Sequence, residues 1–210
     1  GELSLRTAVG GYLNSARGVD CSPDQILIGA GSEYLLMLLA QILGTDMGIA
    51  MENPTYKQAY RVLKGEGYHV VPVGMDRYGM DVERLQASGA MIAYVMPSHQ
   101  YPTGIVMPVK RRQELLAWAY SGQGRYLIED DYDSEFRYKG KPIPALQGMD
   151  RGGRVIYMGT FSKSIAPAIR VGFMVLPEHL LEAYRERAGF YLSTVSRIDQ
   201  NILYQFITQG

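Results

Sequence analysis

A single cysteine, Cys21, stands in the 210 residues, so no internal disulfide can form, and the composition suits a reducing compartment. Histidine is nearly as scarce. His69, His99 and His179 lie far apart, which argues against a structural zinc site. Excess charge of either sign is also missing: Lys plus Arg and Asp plus Glu each number 21. The chain therefore lacks the basic surplus with which nucleic-acid binders neutralise phosphate. It has no apolar run long enough to span a bilayer. Nor does it open on a signal peptide, since GELSLRTAVGGYL is already patterned as a helix. The opening residue is not Met, which leads to the expectation of a piece of a longer protein. The expected location is cytoplasmic. Internal repeats and low-complexity linkers are absent.

What is present suits a globular core: 47 % hydrophobic and 20 % charged residues, enough chain for one large domain or two small ones. Leu5, Val9, Tyr12, Leu13 and Ala16 share one face of a helix over residues 3–16, which Gly18 stops. Short apolar runs at 26–28, 49–52, 68–73, 91–96, 126–128, 155–158 and 171–176 read as strands. Helical patterns separate most of them, among them 57–64 and 109–120. A final pattern starts at Pro177 and stays helical to near Thr208. Alternating strands and helices with short turns predict an α/β fold, a mostly parallel sheet covered by helices on both faces. Right-handed crossovers then bring the C-terminal ends of the strands to one edge.

The residues that can carry chemistry fall just after those strands. Gly29-Ala30-Gly31-Ser32 runs into an apolar helix beginning at Glu33. Small residues there can cradle an anion on free backbone N–H groups, or Ser32 can serve as a plain N-cap. Pro54 keeps Asn53 extended and places Tyr56 near the first turn of the next helix, where it can stack on a ring or fill core. His69 reads as an ordinary strand residue. Two prolines and a glycine fix the loop Pro97-Ser98-His99-Gln100-Tyr101-Pro102-Thr103-Gly104. Glu129, Asp130, Asp131 and Asp133 crowd one strand end, either as solvated charge or with one carboxylate meeting a protonated ring nitrogen. In GTFSKSIAPAIRVGF, Lys163 sits between Ser162 and Ser164 after a buried strand, with Arg170 seven residues on. A lysine there can form a Schiff base with an aldehyde, and Arg170 can grip a phosphate with a bidentate fork. The bland alternative is a surface loop with solvated charges.

Five segments together resemble fold-type I pyridoxal phosphate (PLP) enzymes, and specifically the aminotransferase-like domain of MocR regulators in the GntR superfamily. They are GAGSEYLL, ENPTYKQAYRVL, MPSHQYPTG, LIEDDYDSEFRY and GTFSKSIAPAIRVGF, which span nearly the whole chain. The resemblance implies a PLP-binding large domain over 1–210, with a winged-helix DNA-binding module and a C-terminal small domain outside the chain. It implies Lys163 as the Schiff-base lysine, Asp130 (or Asp131) as partner of the pyridine nitrogen, Tyr132 on the ring 3-oxygen and Tyr56 stacked on the ring. The phosphate would be held by Gly31, Ser32, the backbone N–H of Glu33, Ser162 and Arg170, with Thr160 as an additional ligand.

One position departs from the pattern. Aminotransferases usually carry Asn-Pro-Thr-Gly where this chain has Tyr101-Pro102-Thr103-Gly104, so the asparagine expected on the 3-oxygen is missing. His99 or Gln100 stands as its replacement. The expected function is thus an effector-sensing domain of a transcriptional regulator. It would respond to a small amino compound, act as a homodimer, and reach DNA only through another module. The alternative is a working aminotransferase on amino acids, with Lys163 moving the proton.

Overall fold

The computed structural model describes residues 1–132, 144–161 and 170–209. Lys163 and Ser162 therefore lie outside the described residues, as does Asp133. Strands β1 (Ile26–Gly29), β2 (Ile49–Asn53), β3 (Val70–Asp76), β4 (Gly79–Met80), β5 (Ile92–Val95), β6 (Tyr126–Asp131), β7 (Val155–Thr160) and β8 (Gly172–Val175) form an eight-stranded sheet in the order β1-β8-β7-β6-β5-β2-β3-β4. The block β7-β6-β5-β2-β3 is parallel throughout. Only β8 and the two-residue β4 run against it, and the antiparallel β8 returns β1 to the common direction. The expected α/β class with a mostly parallel sheet is what forms.

Helices cover both faces because the central strands are apolar on both. Helices α2 (Ser32–Leu43), α3 (Lys57–Gly65) and α7 (Leu181–Arg187) pack on one face through residues such as Leu35, Leu39, Leu63 and Leu181. On the other face lie α4 (Val82–Ala87), α5 (Val109–Tyr120) and α6 (Leu146–Met149), with Leu85, Leu115 and Leu146 in a second core. Helices α1 (Leu3–Arg17) and α8 (Arg197–Gln209) close a third core against β1 and β8. As its periodicity demands, α1 buries Leu5, Val9 and Leu13, and it ends on Gly18 at φ +66°.

Two expectations are corrected. The helical pattern predicted from Pro177 to near Thr208 is broken: a 3₁₀ turn at Glu178–Leu180 leads into α7, and α8 begins only at Arg197. Gly189 lies in the break, where a Cβ would stand 2.8 Å from the Arg185 carbonyl oxygen. Ser196 restarts the helix, its hydroxyl accepting from Asp199 N–H at 3.1 Å and donating to the Asp199 carboxylate at 2.8 Å. The second correction concerns Ser32. It is the first residue of α2 and makes no side-chain cap; the N-cap is Gly31, at φ +90°.

Candidate functional site

The parallel register sends the C-terminal ends of β1, β2, β5, β6 and β7 to one edge, and β8 starts there. Six chain segments consequently meet: Gly31 to Glu33, Asn53 to Tyr56, the 97–104 loop, Asp130 to Tyr132, Thr160, and Arg170. This is the edge at which open α/β sheets bind ligands.

Strand β6 sends its two terminal carboxylates to opposite faces of the sheet. Side chains alternate along a strand. Tyr126 and Ile128 belong to the α2/α3 core and Leu127 to the α5 core, so Asp130 continues the first face and Asp131 the second. The hydrogen bonds agree. Asp130 accepts a short bond from the hydroxyl of Tyr94, whose neighbours Ile92 and Met96 also face α2 and α3. Asp131 accepts from Arg17 Nε at 2.9 Å and from the Tyr157 hydroxyl at 2.6 Å on the other side. Asp131 is thus a structural counter-ion for the buried Arg17, and Asp130 is the carboxylate free of any cation among the described residues. Burial raises the Asp130 carboxyl to about 6. The Tyr94 hydroxyl opposes the shift, and the charges of Asp131 and Glu33 add to it.

Around Asp130 stand the groups expected from the sequence. The Tyr56 hydroxyl is pushed up first by burial and then by the charges of Glu33 and Asp130, while Arg170 pulls it down. These four residues therefore share one corner. Tyr56 is half-buried, its ring edge-on to Tyr101 with centroids 5.8 Å apart. His99 and Tyr132 lie stacked, with centroids 6.2 Å apart and planes 17° from parallel. Thr160 donates to the Val171 carbonyl at 3.3 Å. At the start of α2, Leu35 N–H closes the first turn on the Gly31 carbonyl at 3.3 Å, so the amides of Ser32, Glu33 and Tyr34 have no acceptor within the helix. A Cβ at Gly31 would meet Arg170 Nη2 and Glu33 Oε2, each at 3.4 Å. The glycine thus lets backbone, guanidinium and carboxylate crowd together.

Of the two replacements considered for the missing asparagine, Gln100 is already committed to the loop. It is buried, donates from Nε2 to the Pro54 carbonyl at 2.8 Å, and accepts at Oε1 from Thr103 N–H at 3.1 Å and from the Thr103 hydroxyl. That bond ties the 97–104 loop to the Asn53–Tyr56 turn. His99 remains at the site, against Tyr132. Sequence reading did not single out Tyr94, Arg17 or Glu52. Each is an unremarkable strand or helix position until the register brings its partner alongside.

Glu52 stands at the end of β2, 1 % exposed, with Oε2 accepting from Met96 N–H at 3.3 Å and Oε1 without a partner among the described residues. Burial pushes its carboxyl up to about 7. The folded chain then holds a proton at Glu52 that an unfolded carboxyl releases near pH 4.5, so this group's contribution to stability falls as pH rises from about 4.5 to 7. Glu52→Gln keeps the shape and removes the titration. It is expected to leave stability at pH 5 nearly unchanged and to raise it at pH 8 by on the order of 2–3 kcal/mol. Urea melts at the two pH values check this; an equal pH dependence in both proteins would refute it.

A groove of about 540 Å³ between α4 and α5, lined by Glu83, Glu114 and Trp118 among others, shares no residue with this corner.

Comparison with known proteins accords with this geometry. The family model for aminotransferase class I and II matches residues 1–208. The chain belongs to that family. Within this aminotransferase family, its similarity runs to helix-turn-helix regulators. It is 43 % identical over its whole length to the uncharacterized HTH-type transcriptional regulator YdeL of Bacillus subtilis, covering 45 % of that protein. To the probable rhizopine catabolism regulatory protein MocR of Rhizobium meliloti it is 37 % identical, again over the whole chain and covering 43 % of the relative. The chain thus spans a little under half the length of these relatives. Among solved structures, the α-aminoadipate aminotransferase LysN of Thermus thermophilus, in complex with N-(5'-phosphopyridoxyl)-L-leucine, superposes over the whole chain and 54 % of its own at TM-score 0.86 and 27 % identity. The fold-type I architecture expected from the five segments is thereby established, and the similarity to MocR-type regulators that they implied is found.

Proposed function

We propose that this domain binds pyridoxal 5'-phosphate and is the effector-sensing part of a MocR-type transcriptional regulator. The observation that carries the cofactor reading is Asp130. It is a buried carboxylate at the strand edge, with a hydroxyl but no cation beside it among the described residues, on the face shared with Tyr56, Glu33 and Arg170. A protonated pyridine nitrogen supplies the charge that such a carboxylate lacks. The crowded Gly31 corner, the open amides of α2 and the Arg170 guanidinium fit a phosphate. In this reading Tyr56 covers the ring, and Tyr132 and His99 flank its 3-oxygen. Thr160 and Ser162 add to the phosphate site, and Lys163 supplies the amine. The bound cofactor contributes an aldehyde that joins covalently to amines and a ring that withdraws electrons.

The sensor role rests on the regulator relatives. A small amino compound would compete with Lys163 for the aldehyde, and a DNA-binding module outside these residues would read the outcome. Homodimerisation and a cytoplasmic location belong to the same proposal. The superposition on aminotransferases favours a second reading, in which the full-length protein transaminates amino acids with Lys163 as the proton carrier. The missing asparagine at Tyr101, with Gln100 committed to the loop, counts against efficient turnover.

The test is an absorption titration of the purified chain with pyridoxal phosphate, then borohydride reduction and peptide mapping. The decisive result is a reduced pyridoxyl group on Lys163 that Lys163→Ala abolishes. An adduct that persists in Lys163→Ala refutes the lysine assignment. Turnover of amino acids by the full-length protein would refute a purely regulatory role.

A further inference from the structure

The Arg170 side chain, 65 % exposed, is already paired with an anion. Its Nη2 lies 3.0 Å from Glu33 Oε2, and the Glu33 side chain is 28 % exposed. Glu33 belongs to the first turn of α2, whose positive end favours negative charge. The same carboxylate oxygen and the same guanidinium nitrogen crowd the open side of Gly31. An internal carboxylate therefore sits where guanidinium, helix terminus and glycine converge, which is the corner assigned above to phosphate. A phosphate arriving there meets one nitrogen of the fork already taken, with the like charge of Glu33 beside it.

We infer that Glu33 is an internal competitor for the phosphate corner: it occupies Arg170 in the ligand-free chain, must give up that contact when a phosphate binds, and so sets how weakly the site holds phosphorylated ligands. The inference rests on the phosphate reading of this corner. Its physical basis is separate from the role of the Glu33 backbone N–H. The amide donates to an anion whatever the side chain is, whereas the carboxylate repels one. The pair itself is a half-exposed contact of modest strength, so a phosphate can displace it. The repulsion on the incoming anion is the larger effect, because a charge at this range in a half-buried site is only partly screened. The consequence is a site that holds phosphate more weakly than the arginine and the helix terminus alone would.

Calorimetric titration of the chain with inorganic phosphate and, separately, with pyridoxal phosphate tests this in the wild type, Glu33→Gln, Arg170→Gln and the double variant. Glutamine keeps the length and removes the charge. Glu33→Gln is expected to bind both ligands roughly tenfold more tightly; in the Arg170→Gln background the same change is expected to keep the part of the gain that comes from relief of repulsion and to lose the part that comes from freeing the guanidinium. Unchanged or weaker binding by Glu33→Gln, with wild-type binding that still depends on Arg170, overturns the competitor role and leaves the phosphate reading standing. Binding that ignores Arg170, or no binding by any of the four proteins, overturns the phosphate reading and this inference with it.

Discussion

Asp130→Asn is expected to weaken pyridoxal phosphate binding roughly a hundredfold, because it removes one partner of a buried charge pair. The substitution keeps the size of the side chain and an oxygen for the Tyr94 hydroxyl, so the fold is expected to tolerate it. It loses the charge that holds a ring nitrogen protonated. Asp131→Asn is the control and fails differently. Its carboxylate faces the other side of the sheet and balances Arg17, itself only 8 % exposed, while receiving the Tyr157 hydroxyl. Leaving Arg17 without a counter-ion is expected to cost about 3 kcal/mol of stability and to lower Tm by several degrees, with little change in ligand affinity. Fluorescence titration and thermal melts on both variants separate the two residues. The opposite pattern, with affinity lost in Asp131→Asn and stability lost in Asp130→Asn, would exchange their roles.

Arg112→Ala is expected to destabilise the fold by about 3–5 kcal/mol. Arg112 is fully buried. Its guanidinium donates to the carbonyls of Met107 at 3.0 Å, Pro144 at 2.8 Å and Pro97 at 2.9 Å, and stands 4.0 Å from the Glu129 carboxylate. Glu129 in turn accepts the Leu146 and Gln147 amides at 2.8 and 2.9 Å. One side chain therefore joins α5, the start of the 97–104 loop, the residues before α6 and strand β6. Alanine would leave the Met107 and Pro144 carbonyls without this donor and a buried carboxylate without its cation, while the Pro97 carbonyl keeps the Met107 N–H at 2.9 Å. For a domain whose total stability falls in the usual range of about 5–15 kcal/mol, that is a large fraction. Combining Arg112→Met with Glu129→Gln removes the unpaired charge and is expected to recover part of the loss, which a double-mutant cycle from urea melts measures. A cost below about 1 kcal/mol for Arg112→Ala would show that the clamp is not what holds these segments.

How the expectations fared follows from which of them were local. The strands and most of the helices are readable because apolar residues recur with the period of the element that buries them. The positions of Gly31, Tyr56, His99 and Asp130 at one edge follow from parallel order, since each lies at or just after the C-terminal end of a strand; Arg170 lies before β8 and reaches that edge only because β8 runs antiparallel. The long C-terminal helix failed for the converse reason. Its apolar residues keep helical spacing through 188–196, and the break is set by a close approach of Gly189 to the backbone of α7 and by the Ser196 cap.

By itself the sequence determined an α/β sheet, the stretches that gather at the C-terminal ends of its strands, and membership of an aminotransferase-like family. It could not choose between Asp130 and Asp131, because both are acids on one strand and alternation says only that they face opposite ways. The choice came from partners 36 residues away at Tyr94 and 114 away at Arg17. Glu33 and Arg170 pair across 137 positions. Hydrogen bonds over such separations leave no period in the sequence. They exist only once sheet register and crossovers bring the strands together, and so the tertiary structure alone decided which carboxylate is paired with a cation and which has none among the described residues.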